Sequence, residues 1–281
     1  MIKNIVVPFD FSKASFQALA FTSKLAMKFK AKVHLVAIQD PGIGAPSTNT
    51  HDNVLGALAP VQYNLELAEE NEMKEKLIHI MREQVFPTIQ GKISFIFKDF
   101  YNAFEHFTTE NKVDLVVVGA EKEDSFWEHF TGSLTQDLIQ NTNIPLLNIG
   151  KEQSIEMTDV LIFTDLSTEI PERLLQVSRL FQHEGARLHL ANVIESELLT
   201  KEEVTDKLVE YAWANQLGRP KYHVKKNADF MEGFHEIVQE TNPDMILMKT
   251  YDKSAFRSFF EGRLAQKVMQ QFDVPVLVEK V

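Results

Sequence analysis

Two stretches of this chain decide its fold, because they are two versions of one motif. Residues 113–150 read VDLVVVGAEKEDSFWEHFTGSLTQDLIQNTNIPLLNIG, and residues 243–280 read PDMILMKTYDKSAFRSFFEGRLAQKVMQQFDVPVLVEK. A constant offset of 130 positions (244 − 114) aligns them without a gap and pairs Asp114 with Asp244, Phe130 with Phe260, Gly132 with Gly262 and Pro145 with Pro275. The chain is therefore a tandem duplication, and each half is one copy of a small domain.

The beginnings of the two halves match as well. VVPFDFS ends at Ser12, and LIFTDLS ends at Ser167. A chain of 281 residues is long enough for two domains of the usual size, roughly 100–200 residues each. We predict domains at residues 1–150 and 158–281, joined by a linker at about residues 151–157 that is short enough to keep them in contact.

Composition narrows the classes of function. A hydrophobic content of 44% is ordinary for a globular protein, while the net charge of −11 argues against nucleic acid or an anionic membrane as a partner. The absence of cysteine excludes disulfides and thiolate chemistry. The sequence begins with a strand-like segment instead of a secretory signal, and no apolar run approaches the ~18 residues of a membrane helix. We expect a cytoplasmic protein.

Apolar, β-branched runs alternate with helical patterns along both halves. Strands are predicted at residues 2–7, 33–38, 93–98, 115–119 and 144–149, and again at 160–164, 187–193, 222–226, 245–248 and 274–279. Helices are predicted at residues 13–30, 61–84, 103–110 and 132–141, and again at 171–183, 202–217, 230–241 and 262–271. This alternation predicts α/β domains with a doubly wound, mostly parallel sheet. Residues 40–60 are predicted to form a loop, and two interpretations stay open for it: a lid over the first site or a disordered linker loop.

The first half concentrates candidate binding residues where ligands bind in such sheets, at the carboxyl ends of the strands. Asp10 ends the first predicted strand, and Gly119 ends the fourth. Gly132 and Ser133 open the last helix, where unpaired backbone N–H groups and the helix dipole favour an anion.

On these residues, both halves resemble the universal stress protein family over essentially the whole chain. In that family the first strand ends in an acidic residue followed by an apolar residue and Ser. The fourth strand runs into Gly-x-x-Gly, nine further residues, and then Gly with Ser or Thr. The resemblance implies five strands in the order 3-2-1-4-5 in each half. It also implies pairing of the last strands, so that the two halves pack as an intramolecular pseudo-dimer.

The resemblance further implies a site for ATP or another adenine nucleotide with Mg, although no cofactor is strictly required. The acidic residue and the end of the second strand would hold the adenosine, and the glycine loop and helix start would hold the phosphates. The positions carried over are Asp10, Ile38, Val118, Gly119, Gly132, Ser133 and Leu134. The first half departs at Lys122, which replaces the second glycine, and its loop 121–130 has a formal charge of 1 − 4 = −3 that would repel phosphate.

The second half departs further from the family pattern. Asp165 and the backbone near Val193 match the adenosine side, but Lys249, Asp252 and Arg263 replace two glycines and a serine on the phosphate side. The loop is basic, because Lys249, Lys253, Arg257 and Arg263 outnumber Asp252 and Glu261 by 4 − 2 = 2 charges. Two interpretations stay open: a decayed site with solvated charges, or an anion site built from side chains.

Simpler structural roles compete with ligand binding for the same residues. Asp10 and Asp165 could cap the helices that follow them, and Ser12 and Ser167 are better placed still. The glycines that open the last helices could serve only tight helix–strand packing. His34 and His189, on the predicted second strands, are expected to be packed or edge histidines and not catalytic bases.

Enzyme signatures are missing from the sequence. There is no HExxH motif, no GxSxG elbow and no Walker A loop. We therefore expect a non-catalytic stress-response protein that binds an adenine nucleotide in its first half. The main alternative is a nucleotide-free scaffold for an unknown protein partner, and a slow ATPase is less favoured. A homodimer of the whole chain stays open.

Overall fold

The computed structural model describes residues 1–9, 11–38, 71–72, 75–80, 82–83, 92–96, 100–119, 142–150, 154–166, 169–250 and 262–281. In the first half the elements are β1 (Asn4–Phe9), α1 (Lys13–Phe29), β2 (Lys32–Ile38), β3 (Ile93–Ile96), α2 (Phe100–Glu110), β4 (Leu115–Gly119) and β5 (Leu146–Ile149). In the second half they are β6 (Asp159–Phe163), α3 (Glu172–His183), β7 (Arg187–Ile194), α4 (Lys201–Ala214), β8 (Lys221–Lys226), α5 (Phe230–Thr241), β9 (Met245–Thr250), α6 (Gly262–Gln271) and β10 (Val276–Lys280).

These elements agree closely with the sequence-based boundaries, and the α/β fold class is confirmed. Described residues between 71 and 83 are helical, within the helix predicted at 61–84. The predicted helix at residues 132–141 and the loop at 40–60 lie outside the described residues.

The ten strands in the described part of the chain belong to one sheet, in the order β3-β2-β1-β4-β5-β10-β9-β6-β7-β8. Neighbouring strands are parallel within each half, and each half has the order 3-2-1-4-5 in its own numbering. The halves meet at an antiparallel pair, β5 and β10, in which Leu147 lies opposite Leu277. The last strands therefore cover each other, and the pairing leaves neither of them as an exposed sheet edge.

Helices cover both faces of the sheet and bury apolar side chains against the strands. One core cluster joins the strands to α1, α3 and α4 through residues such as Leu25, Phe181 and Leu208, each of which is fully buried. The second cluster joins the opposite face to α2, α5 and α6, where Phe104 and Phe234 are at most 1% exposed. A parallel sheet needs this cover on both faces, which explains why its strands read as continuous apolar runs.

Polar contacts also join the two halves. Arg173 of α3 donates from Nη2 to Oδ1 of Asp114 at 2.8 Å, and the backbone N–H of Ile2 donates to Oε1 of Gln176 at 2.8 Å. At the other end of α3, the carboxylate of its C-cap residue Glu184 lies 2.7 Å from the ammonium of Lys28, in the last turn of α1. Helix α3 of the second half is thus attached to the residues that precede β1 and β4 and to the last turn of α1.

The repeated aspartates at positions 114 and 244 have a structural role. Asp114 accepts hydrogen bonds from the backbone N–H groups of Lys3 and Asn4 at 2.8 and 3.1 Å. Asp244 accepts from the backbone N–H groups of Thr158 and Asp159 at 2.7 and 2.9 Å. Each carboxylate therefore anchors the start of the first strand of its own half, which accounts for its place in the repeat. In the described part of the chain, no helix is long and apolar enough to cross a membrane.

Candidate functional site

The predicted nucleotide site of the first half lies at the carboxyl edge of the sheet. Ile38 ends β2, and Val118 and Gly119 end β4, with β1 between these two strands. Strand β1 stops at Phe9, directly before Asp10. The remaining predicted residues lie outside the described part of the chain, namely Asp10, Gly132, Ser133 and Leu134, together with Lys122 and its acidic loop.

Gly119 brings β4 and α1 into close contact. A Cβ at this position would lie 2.0 Å from the carbonyl oxygen of Ala14, so any side chain would clash with the first turn of the helix. That turn begins after Ser12, whose hydroxyl accepts a hydrogen bond from the N–H of Ser15 at 3.1 Å. The prediction of Ser12 as a helix cap is confirmed. Gly119 thus has a packing role that does not depend on any ligand.

The second half has a lysine where the first half has this glycine. Lys249, which is 130 positions after Gly119, is only 2% exposed, and its Nζ lies 2.8 Å from Oδ1 of Asp165. Asp165 is the residue that corresponds to Asp10 (165 − 10 = 155, the same offset that pairs Ser12 with Ser167). The carboxylate on the predicted adenosine side of the second half is therefore paired with an ammonium from the same chain.

Helix α3 begins later than its counterpart α1. It starts at Glu172, which corresponds to Gln17 by the 155-residue offset, and Pro171 at its N-cap makes no side-chain cap. The prediction that Asp165 or Ser167 caps this helix is wrong, because the helix begins several residues beyond both.

A glutamate from the last strand replaces the missing cap. Oε2 of Glu279 accepts hydrogen bonds from the backbone N–H groups of Arg173 and Leu174, both at 3.0 Å. Glu279 pairs with Lys249 in the register of β10 and β9, so the two side chains lie on the same face of the sheet. Burial raises the pKa of the Glu279 carboxyl, although the two backbone N–H groups and Arg173 oppose that effect.

Sequence reasoning missed Glu279. Its counterpart in the first half is the fully buried Ile149, at an offset of 130 positions. The available signal was a carboxylate directly after the apolar run VPVLV of the last strand. Such a residue requires polar partners when it is partly buried.

The two halves therefore present different chemistry at equivalent strand ends. In the second half Lys249 is paired with Asp165, and Glu279 accepts hydrogen bonds from the start of α3. A nucleotide that entered this strand end would have to displace the internal ion pair. The interpretation of the second half as a side-chain anion site loses Lys249, because that ammonium is paired with Asp165. Lys253, Arg257 and the side chain of Arg263 lie outside the described residues.

The histidines of the second strands are packed, as predicted. His34 is 3% exposed and His189 is 4% exposed. Both lie near the amino ends of their strands, at the opposite edge of the sheet from the predicted nucleotide site. Across the described ranges, no group of three or more His, Asp or Glu residues is arranged to hold a metal ion.

Comparison with known proteins defines the class of protein to which this chain belongs. The model of the universal stress protein family matches the chain twice, over residues 1–149 and 157–280. The chain belongs to the universal stress protein family, as a tandem member with two copies of the domain.

Individual relatives agree with this assignment. A universal stress protein of Methanocaldococcus jannaschii is 24% identical over 153 residues, which cover 54% of this chain and 84% of the relative. The crystal structure of a universal stress protein from Archaeoglobus fulgidus covers 99% of this chain, and 98% of its own length is matched, at 15% identity and a TM-score of 0.72. A functionally unknown protein from Pseudomonas aeruginosa covers 99% of this chain, with 92% of its own length matched, at 14% identity and a TM-score of 0.58. The two structures show a shared fold.

Proposed function

We propose that this chain is a non-catalytic stress-response protein that binds an adenine nucleotide in its first half only. The observation that carries the proposal is the difference between the two strand ends. Gly119 ends β4 without a side chain, while Lys249 in β9 reaches the carboxylate of Asp165 at 2.8 Å. The first half keeps an acidic residue, Asp10, with no lysine at the position that neutralises its counterpart.

The proposed ligand is ATP, ADP or AMP, with Mg bound through the phosphates. Asp10 and the backbone at Ile38 would hold the adenosine, and Gly119 with Gly132 and Ser133 would hold the phosphates. The charge of the loop around Lys122 disfavours a triphosphate, so an adenine nucleotide with fewer phosphates would bind at least as well. We propose no catalysis, because the sequence offers no nucleophile paired with a base. The cytoplasmic location of the protein stays a prediction from the sequence.

The test is calorimetric titration of the whole chain with Mg-ATP, Mg-ADP and AMP, together with thermal shifts. A ligand at about 100 times its Kd should stabilise the folded chain by ~2.7 kcal/mol. The matched variants are Asp10→Asn and Asp165→Asn. We expect the first variant to lose binding, and the second to bind as tightly as the unaltered chain with a stoichiometry of one nucleotide.

Three other results would each redirect the proposal. Two equivalents bound per chain would mean that the Lys249–Asp165 pair opens to a ligand. Equal affinity in the unaltered chain and Asp10→Asn would remove the proposed adenosine contact. No heat and no thermal shift with any nucleotide would favour the alternative, a nucleotide-free scaffold whose surfaces bind a protein partner.

A further inference from the structure

A chain of four titratable side chains crosses the sheet beneath α5, far from the predicted nucleotide site. His189 is 4% exposed, and its Nε2 lies 2.7 Å from Oδ1 of Asp159. Its Nδ1 lies 2.9 Å from Nε2 of His223, whose own Nδ1 lies 3.3 Å from Oε1 of Glu240. The two ring centroids are 5.1 Å apart and the ring planes are inclined by 29°.

Both ends of this chain are carboxylates that can only accept hydrogen bonds. Hydrogen bonding from Arg187 lowers the pKa of Asp159 to about 2, with further bonds from His189 and Thr158, although burial opposes this shift. Hydrogen bonding from Lys225 likewise lowers the pKa of Glu240, and His223 adds to the effect. An ionised carboxylate has no proton to donate, so the ring nitrogens that face Asp159 and Glu240 must each carry one.

Counting protons gives the charge of the pair. The three contacts of the chain, from Asp159 through the two rings to Glu240, need three N–H protons. Two neutral imidazoles carry only two, one on each ring. Satisfying all three contacts therefore requires one additional proton and gives the pair a single positive charge. The shorter carboxylate contact, 2.7 Å against 3.3 Å, places that charge on His189. Burial lowers the pKa of His223, although the hydrogen bond to Glu240 opposes this shift.

The equivalent position in the first half is arranged differently. Asn4 stands where Asp159 stands in the second half, and its Oδ1 lies 3.3 Å from Nε2 of His34. Nδ1 of His34 accepts a hydrogen bond from the backbone N–H of Lys92 at 3.1 Å, so that nitrogen carries no proton. Burial, with Lys92 and Lys32, lowers the pKa of His34 to about 4. The first copy thus holds a neutral histidine at this position.

We propose that His189 and His223 share one proton between Asp159 and Glu240 and form a proton-responsive clamp on the edge strand β8. A second proton would put N–H groups on both of the nitrogens that face each other at 2.9 Å, so that two donors and two like charges would oppose each other. The rings would then separate and loosen β8 from β7 and α5. The charged groups around the pair are four acidic residues, Asp159, Glu236, Glu240 and Asp244, and three basic ones, Arg187, Lys221 and Lys225. Their net charge of 3 − 4 = −1 is neutralised by the one shared proton, so no net negative charge is left to stabilise a second.

The first test is NMR of the full chain with 15N-labelled histidine. Near pH 7 we expect His189 to show protons on both ring nitrogens and His223 to show a proton on Nδ1 only, while the exposed His183 serves as an internal reference. Asp159→Asn recreates the arrangement at Asn4 and should return His189 to a neutral ring. Two neutral rings in the unaltered chain at pH 7, or an unchanged His189 in Asp159→Asn, would overturn the proposal.

The second test follows amide hydrogen exchange as the pH falls from 7 to 5, in the unaltered chain and in His223→Gln. After correction for intrinsic rates, opening of β8 coupled to uptake of one proton should increase about tenfold per pH unit between the ordinary pKa of His223, which opening restores, and its lowered pKa in the folded chain. Glutamine cannot take up a proton, so β8 should lose this dependence in the variant. Equal pH dependence of β8 in the two proteins would contradict the clamp.

Discussion

The ends of β4 and β9 are the same place in two copies of one domain, yet they differ in what fills them. In the first copy Gly119 leaves room for the first turn of α1, and a Cβ there would lie 2.0 Å from a backbone oxygen. In the second copy Lys249 stands at the same position and pairs with Asp165, and α3 starts a turn later with Glu279 at its N-terminus. The two copies thus differ at one position in whether the strand end packs directly on the helix backbone or carries an internal ion pair.

The largest expected difference between the copies follows removal of the acidic residue after the first strand. Asp165→Ala would take away the carboxylate that lies 2.8 Å from the buried ammonium of Lys249. Breaking a buried ion pair by removing one partner costs about 3–5 kcal/mol. Asp10→Ala should cost no more than ~1 kcal/mol, because the first copy has Gly119 in place of the lysine.

Urea denaturation of the two variants, followed by circular dichroism, measures both free energies of unfolding. Asp165→Asn, which keeps the shape and loses the charge, is the control for packing. Equal losses for Asp10→Ala and Asp165→Ala would mean that the ion pair does not distinguish the copies.

An intermediate effect is expected from the buried histidine of the first copy as the pH falls. The pKa of His34 is lowered from 6.5 to about 4 in the folded chain, so on acidification the unfolded chain takes up this proton first. The stability contributed by neutral His34 is complete above pH 6.5 and is lost as the pH falls toward about 4, up to about 3 kcal/mol.

The measurement is the free energy of unfolding from pH 7 to pH 4.5 for the unaltered chain and for His34→Gln. Glutamine cannot take up a proton, so the variant should lose this part of the pH dependence. If both proteins lose stability in parallel, the pH dependence of the free energy of unfolding comes from other groups. The lowered pKa of buried His34 would then not account for it.

The smallest effect is expected at the two helix caps. Glu279→Ala removes the oxygen that accepts from Arg173 and Leu174, and Ser12→Ala removes the hydroxyl that accepts from Ser15. Each should cost about 1 kcal/mol, the usual value of an N-cap, although one cap comes from the helix itself and the other from a strand. Glu279→Gln keeps an acceptor and should lose less than Glu279→Ala, whereas equal losses would attribute the effect to charge and not to capping. Thermal unfolding measures all three.

Much of the fold follows from local patterns in the sequence. The duplicated motif, the apolar β-branched runs and the alternation of strands and helices predict the parallel sheet, and α5 and α6 begin and end at the predicted residues. Leu115–Gly119 is likewise observed as predicted. These elements are determined by neighbours close in the chain, so their periodicity reports them directly.

The chemistry of the second copy depends on residues that are distant in the chain, and the sequence did not predict it. Asp165 meets Lys249 across 84 positions (249 − 165), and Glu279 meets the start of α3 across 106. The contact between His189 and His223 likewise depends on the register of β7 and β8. Pattern reasoning found the replaced glycine but treated Lys249 as a free cation, because no local feature indicates which buried partner an ammonium finds.

The antiparallel junction of β5 and β10 has a consequence for how the two copies could change over time. When identical subunits associate about a two-fold axis, every substitution appears in both sites at once. Here one continuous polypeptide supplies both partners, because Leu147 of one copy lies opposite Leu277 of the other. Symmetry is therefore no longer imposed at the pocket positions. Gly119 and Lys249, or Ile149 and Glu279, can differ within one molecule without any loss of the joint that holds the copies together.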